Sequence, residues 1–500
     1  MALLKPPAAK KEKPASKKQN EKPKNKDTKD KPVSASTLKE FVKIFKDFNL
    51  DDLETVEITT LQDLQNEFGE LVDPRVPEQV HFKLADIILI VLLAVLSNCN
   101  EWDEIEQFAY AREDWLTKNL QLDYGVPSLT TIQRMISTID EQMLFDIGLN
   151  YFLKFAQMAA ANTKAQIAAH EENNKSRDAD CGVPEVNNWL EAVEKGKTDQ
   201  PIDIIALDGK VTKSSKRKDT DQTPGKKQLN TLSAYSVSLG SCLGQEFIPS
   251  KTNEITSMPI LLNKIGIEGA IVTCDALNTQ TDTVKMIIER GSDYVMPIKG
   301  NKKTLYEDFK TIFDEPAIQA IREKQDDKHQ YLRVQAREQG TTVIREYFLL
   351  SEFTGLYKAE EWAGLKAIGF VRRTVVKIDP KTKEVTTAYE DRYYISSIDT
   401  ILHFAQAVRG HWNVESFHWH LDYTFKDDYN KTTSDEGAKG LLVIKKLALT
   451  ILKVVQAVSP PYTSLKSLRF VLSMLFERKI AVLLNLFNAD VINKVSGMLS

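Results

Sequence analysis

The chain has 500 residues, more than one hydrophobic core supports, so two or three structural units are expected. Its cysteines, Cys99, Cys181, Cys242 and Cys274, lie far apart with no Cys-x-x-Cys pair, which excludes a disulfide framework and a cysteine zinc finger and fits a reducing compartment. Lys and Arg number 66 against 70 acidic residues, a net charge of −4, but residues 1–32 hold 11 Lys against 4 acids, leaving −11 for the remainder.

Residues 1–36 form a Lys-rich, Pro-rich tail too poor in apolar side chains to fold. Such a tail binds phosphate through counterion release, acts as an import signal in a nucleated cell, or simply keeps the chain soluble. Thr37 and Glu40 then make a capping box before Phe41, Ile44, Phe45 and Phe48, and the pattern stays helical to about residue 162. Leu84 to Leu96 is apolar but contains Asp86 and falls short of the roughly 20 residues a bilayer needs, so it reads as a buried helix. Neither a membrane partner nor a secretory signal is expected. After Gly125-Val-Pro127, Ser128 caps a helix from Leu129 to Ser137. Leu129, Ile132 and Ile136 would face inward, and Thr130, Thr131, Gln133 and Arg134 outward. Preceded by a helix around Asp103 to Trp115, it resembles a helix-turn-helix reader of the DNA major groove; an ordinary helical hairpin is the alternative.

Residues 163–200 are polar and contain Gly182 and Pro184, the composition of a linker or insertion. Beyond them, Ile202 to Leu207 and Ala270 to Cys274 are apolar, β-branched runs of the kind found in strands buried on both faces. Asp208 and Asp275 close these runs and are placed at the carboxyl ends of strands. Glu415 belongs to a stretch from Ile401 to Phe425 with helical apolar spacing. Two strand carboxylates and one helix carboxylate form the hard oxygen set that a pair of Mg²⁺ or Mn²⁺ ions takes in phosphoryl displacement. Lys210, Lys213, Lys216 and Arg217 follow Asp208 in what reads as an exposed loop, placing positive charge where a phosphate backbone would pass.

His411, Glu415, His418 and Asp422 share one helix face. Zinc bound by two imidazoles and a carboxylate is one reading. The other has Glu415 on Mg²⁺ or Mn²⁺, with His411 or His418 meeting phosphate or orienting a ligating carboxylate. Trp412 and Trp419 lie on an adjacent face, where core packing is the plainer expectation and stacking on an extruded base the alternative. Two further amphipathic segments, about 436–457 and 464–497, close the chain.

These motifs resemble, in order, the DDE transposases of bacterial insertion sequences, in the group that includes the H-repeat-associated proteins. The similarity is carried by Leu71-Val-Asp-Pro-Arg75, Val126 to Arg134, Asp208-Gly-Lys210, Asn253-Glu-Ile-Thr256, Asp275-Ala276, Lys299-Gly-Asn301, Arg392-Tyr-Tyr-Ile-Ser-Ser397 and His411-Trp-Asn-Val-Glu-Ser-Phe-His-Trp-His420. The resemblance implies an α/β, ribonuclease H-like catalytic core over 201–435 with a β-rich insertion at about 301–400. A helical DNA-binding domain (37–162) would precede it and C-terminal helices (436–500) follow it. Asp208, Asp275 and Glu415 would be the catalytic, metal-binding triad for two Mg²⁺ or Mn²⁺ ions. Double-stranded DNA, as transposon terminal repeats and target, would be the partner of a homodimer, with Lys210, Lys299, Asn301, His411, Trp412 and His418 near the DNA. A bacterial host would place the protein in the cytoplasm on the nucleoid, and a eukaryotic one in the nucleus. The chain departs from the family at Val211 to Ser215, at Lys302, and at Gly340-Thr-Thr-Val-Ile-Arg345, where an expected basic contact is missing. A noncatalytic DNA-binding descendant and a nuclease without strand transfer are the alternatives.

Overall fold

The computed structural model describes residues 45, 48–155, 202–213, 228–249, 253–338, 341–378, 382, 384–432, 434–459 and 463–497. The Lys-rich tail, the capping box at Thr37, the polar segment 163–200, and Lys216 and Arg217 lie outside these residues. The chain divides into Met1–Pro32 and Val33–Ser500, and every described residue belongs to the second unit.

A nine-stranded sheet organises this unit in the order β3-β2-β1-β4-β5-β9-β8-β7-β6. The first five strands are β1 (Ile204–Thr212), β2 (Leu229–Ser236), β3 (Ser241–Ile248), β4 (Ile271–Cys274) and β5 (Asp293–Ile298). β1, β4 and β5 run parallel at the centre, while β2 and β3 add antiparallel to the free side of β1. The insertion supplies β6 (His329–Glu338), β7 (Thr341–Leu350), β8 (Ala367–Ile378) and β9 (Val385–Ser396), an antiparallel meander that joins the sheet where β9 pairs with β5. The insertion is therefore a continuation of the central sheet. Its first strand, β6, is an edge strand whose mixed polar sequence gave no clear signal.

Helices cover both faces of the sheet. The N-terminal set is α1 (Thr60–Phe68), α2 (Leu84–Leu96), α3 (Trp102–Ala111), α4 (Glu113–Leu120), α5 (Leu129–Ile136) and α6 (141–155). The helix expected from Asp103 to Trp115 is thus two, broken at Arg112. On one face of the sheet lie α7 (Glu254–Lys264), α8 (Thr281–Glu289), α9 (Lys303–Ile312) and α10 (Glu315–Glu323), whose Met258, Leu261, Val284, Ile287 and Phe309 pack on Leu207, Val272, Met296 and Phe370. The opposite face carries α11 (Ile401–Trp419), which sets Phe404, Ala405 and Val408 against Ile204, Val295 and Tyr394. Gly410 makes this approach possible, since a Cβ there would stand 2.9 Å from the Ile204 side chain.

The C-terminal helices α12 (Asp435–Val458), α13 (Leu465–Met474), α14 (Phe476–Asn485) and α15 (Ala489–Gly497) share one core with the N-terminal set. All thirteen residues of α2 are buried, and its Asp86 accepts a 2.6 Å hydrogen bond from Gln65. Arg469 of α13, fully buried, donates to Val95 O at 3.1 Å and to Asn100 Oδ1 at 2.9 Å, satisfying a carbonyl in the last turn of α2. It also donates to Thr424 O, just beyond α11, and so ties the N-terminal helices to the helix that bears Glu415.

Candidate active site

β1 and β4 are in parallel register from Ile204–Ile271 to Leu207–Cys274, so Asp208 and Asp275 follow the last paired residues on neighbouring strands. The adjacent placement is a direct product of the strand alignment. β1 does not end at Asp208; it continues to Thr212 through pairing with β2, in which Asp208 stands opposite Ser233. Lys210 and Val211 therefore lie within the strand, which ends one residue beyond Val211.

Above the two carboxylates runs the polar face of α11. His411 Nε2 lies 3.5 Å from Asp275 Oδ1, and His418 Nδ1 lies 3.1 Å from Asp208 Oδ2. Seven residues span two helical turns, so one helix face reaches both strand acids. Glu415 sits between the two histidines on that face. The His411 imidazole beside Asp275 holds its carboxyl below the usual range, against the effect of burial. Burial lowers the His418 pKa, opposed by Asp208; the neutral ring then donates from Nδ1 to the carboxylate.

A fourth carboxylate, the glutamate of the Asn253-Glu-Ile-Thr256 motif, joins them. Glu254 opens α7 after an Asn253–Thr256 capping box and accepts a 2.8 Å hydrogen bond from Asn278 Nδ2. Its carboxylate fills the space over Gly209, where a Cβ would meet Oε1 at 2.1 Å. Burial raises the Glu254 pKa, opposed by Asn278 and reinforced by Asp208 and Asp275. Glu415 is likewise raised, first by burial and further by Asp208 and Asp275, with His411 opposing. The four carboxylates come from two strands and two helices, and burial together with the neighbouring aspartates raises the pKa of both glutamates. Among the described residues, no three His, Cys, Asp or Glu side chains converge closely enough to grip an ion as they stand. The histidines meet carboxylates, so the two-imidazole zinc arrangement is not formed.

The basic groups divide sharply. Lys210 is 6 % exposed, with Nζ 2.7 Å from Asp427 Oδ2 and 2.8 Å from Asp422 Oδ1. It is a buried structural charge, which corrects its expected place on a phosphate backbone. Burial lowers the Lys210 pKa, but Asp427 and Asp422 outweigh this and raise it. Lys213 is exposed and pairs with Asp428 at 2.8 Å. Lys299 is exposed beside Asp275, whereas Asn301 donates to Ala276 O at 2.8 Å and Lys302 to Gln280 Oε1 at 3.1 Å. Trp412 and Trp419 are 36 % and 53 % exposed, so the core-packing expectation fails for both. Arg392 lies 4.7 Å over the Trp412 ring, and Trp419 stacks on Tyr423.

In α5, Ile132, Met135 and Ile136 are buried, while Thr130 and Arg134 are exposed and Thr131 and Gln133 half-buried. Glu106 accepts a 2.7 Å hydrogen bond from Leu129 N and so occupies the amino end of this helix. A cleft of about 340 Å³ beside the carboxylates is lined by Asp275, Lys299, Arg392, His411, Trp412 and Glu415.

Asp208 within β1 and Asp275 directly after β4 thus lie beside the helix that bears Glu415. The family model described as "Transposase DDE domain" matches residues 199–451, and one described as "DDE_Tnp_1-associated" matches 65–151. The chain belongs to the DDE transposase family, in the group of the H repeat-associated transposases. It is 28 % identical over 404 residues to the "H repeat-associated putative transposase YhhI" of Escherichia coli K12, covering 78 % of this chain and 90 % of that one. "Putative protein YbfL" of the same strain gives the same figures. "Putative transposase YncI" of Escherichia coli O157:H7 is 29 % identical over 396 residues, covering 79 % and 88 %. Among solved structures, the synaptic complex of piggyBac transposase with hairpin DNA aligns over 92 % of this chain and 81 % of that one at 13 % identity, with a TM-score of 0.33. No helix among the described residues is long and apolar enough to cross a membrane.

Proposed function

We propose that the protein is an active transposase that cleaves double-stranded DNA at transposon ends and joins the freed 3′-hydroxyl to target DNA. One observation carries this reading: two strand carboxylates are each oriented by a histidine from the helix that presents the third carboxylate. The strand order 3-2-1-4-5 with β2 antiparallel supports a ribonuclease H-like core. Asp208, Asp275 and Glu415 would hold two Mg²⁺ or Mn²⁺ ions, with Glu254 beside them. Such ions, when bound, activate the attacking oxygen and stabilise the leaving one.

The protein's own groups prepare that chemistry. His418 donates to Asp208 and His411 stands against Asp275, limiting the rotamers of both acids. Asn278 holds Glu254 against Gly209. Lys299 and Arg392 line the cleft as phosphate contacts. Thr130 and Arg134 on α5 remain open to solvent and would contact DNA, with Thr131 and Gln133 at the edge of that face. A homodimer would hold two ends for one integration event. The test is strand transfer: incubation with cut terminal-repeat DNA, a target plasmid and Mn²⁺ should give joined molecules. Cutting without joining would leave a nuclease, and binding without either would leave a DNA-binding descendant.

A further inference from the structure

A π-helical turn, His420–Thr424, continues α11 and closes with Phe425 N donating to His420 O at 3.1 Å. Such turns occur frequently at functional sites, and this one begins two residues after His418, which touches Asp208. The turn divides its side chains. Leu421 and Thr424 are buried, Asp422 meets Lys210, and Tyr423 faces solvent with 59 % of its surface exposed.

Tyr423 stacks on Trp419, with ring centroids 4.8 Å apart and planes inclined by 16°. Neither ring belongs to the core, and both keep more than half their surface toward solvent. Lys466, near the start of α13, places Nζ 6.0 Å from the Tyr423 ring centroid. Lys426 follows the turn, exposed and left-handed at φ 50°. A lysine in that region is strained backbone, and it points out while Asp427 beside it turns inward to Lys210. Among the described residues, neither Lys426 nor Lys466 pairs with a carboxylate.

Exposed aromatic rings beside uncompensated lysines match the two parts of a nucleotide, a flat base and a phosphate. In an intact duplex the bases are stacked on one another and closed to such rings, so the complementary ligand is an unpaired strand. A second copy of the chain meeting this patch about a two-fold axis would bring the same lysines against their own images, a like-charge contact.

We propose that Trp419 and Tyr423, flanked by Lys426 and Lys466, form a stacking platform for unpaired nucleotides, which receives strand separated beside the carboxylate site. This rests on the DNA reading above and adds to it the form of nucleic acid held there.

The experiment measures binding of a labelled single-stranded oligonucleotide of mixed sequence, and of the same sequence as duplex, without metal ions. Native protein is compared with Trp419→Ala, Trp419→Phe, Tyr423→Ala, and Lys426→Gln with Lys466→Gln. Loss of one stacked base should weaken single-strand binding by about 5- to 150-fold in either alanine variant. Trp419→Phe keeps a ring and should retain most of the affinity, and duplex binding should stay near native in the aromatic variants. The double lysine variant should reduce the slope of log single-strand affinity against log salt by about 1.4, or roughly 0.7 per phosphate. The Lys-rich tail is common to all variants, so the differences report on the platform. Native duplex binding with single-strand affinity unchanged in both alanine variants would overturn the platform and spare the DNA reading. Self-association lost in Trp419→Ala, with single-strand affinity unchanged, would overturn it in favour of a contact between copies. No binding of either form by native protein would overturn both readings.

Discussion

Asp427→Asn should be among the most destabilising single changes near the site. Asp427 is 1 % exposed and accepts from Lys210 Nζ at 2.7 Å and Thr212 Oγ1 at 3.0 Å, with Lys445 Nζ 3.7 Å from its other oxygen. Both ammonium groups are themselves buried, Lys445 completely. Amidation removes the carboxylate they share, leaving Asp422 for Lys210, and Asp422 is a poorer anion because burial raises its pKa against the pull of Lys210. Removing one member of a buried pair costs about 3–5 kcal/mol, since the remaining charge stays desolvated. Burial alone would raise the Asp427 pKa, yet Lys210 and Lys445 overcome it and hold the carboxyl below the usual range. Its stabilisation is therefore complete above the unfolded value of about 3.9 and fades as pH falls through the lower folded value. Equilibrium urea denaturation at pH 7 measures the loss. Adding Lys445→Met should recover part of it by removing the unmatched ammonium. A single variant within about 1 kcal/mol of native at pH 7, or a double variant whose losses simply add, would refute this reasoning.

Gly209→Ala should displace the Glu254 carboxylate, since the new Cβ would lie 2.1 Å from Oε1. Weaker Mn²⁺ binding by calorimetry, with the fold retained, is the expected outcome; unchanged affinity would remove Glu254 from the site. His418→Gln should lower kcat with little change in DNA affinity, because His418 touches Asp208 and is too buried to meet DNA. Equal losses in cleavage and DNA binding would contradict that role. Mn²⁺ affinity should rise with pH up to a midpoint above the ordinary Glu value, because Glu254 and Glu415 are both held toward their protonated forms and must ionise to bind. A flat profile from pH 5 to pH 8 would count against this.

The central strands were legible because burial on both faces leaves continuous apolar runs, and the acids that close β4 and interrupt β1 stand out against them. The polar face of α11 and of the π-helical turn His420–Thr424 after it was legible from spacing alone, and the structure distributes it as His411 to Asp275, His418 to Asp208 and Asp422 to Lys210. Lys210 was misplaced because its neutralising acid lies 217 residues further on and nothing local announces it. The helix bearing Glu254 escaped notice because Pro259 interrupts its pattern; the Asn253–Thr256 capping box was the available signal. Trp412 and Trp419 defeated a helical-face argument because α11 packs on the sheet along only one side. The register of β7 against β8, which sets Arg345 opposite Arg373, follows from strand pairing that the separate strand sequences do not encode.

Cleavage of a duplex carrying the element's own terminal repeat, with Mg²⁺ or Mn²⁺, tests the central claim most directly when native protein is set beside Asp208→Asn, Asp275→Asn and Glu415→Gln. The account predicts metal-dependent cutting by the native protein that is lost in each variant while end binding persists. Tight end binding by native protein with no cutting under either metal, or cutting that survives in any of the variants, would contradict it.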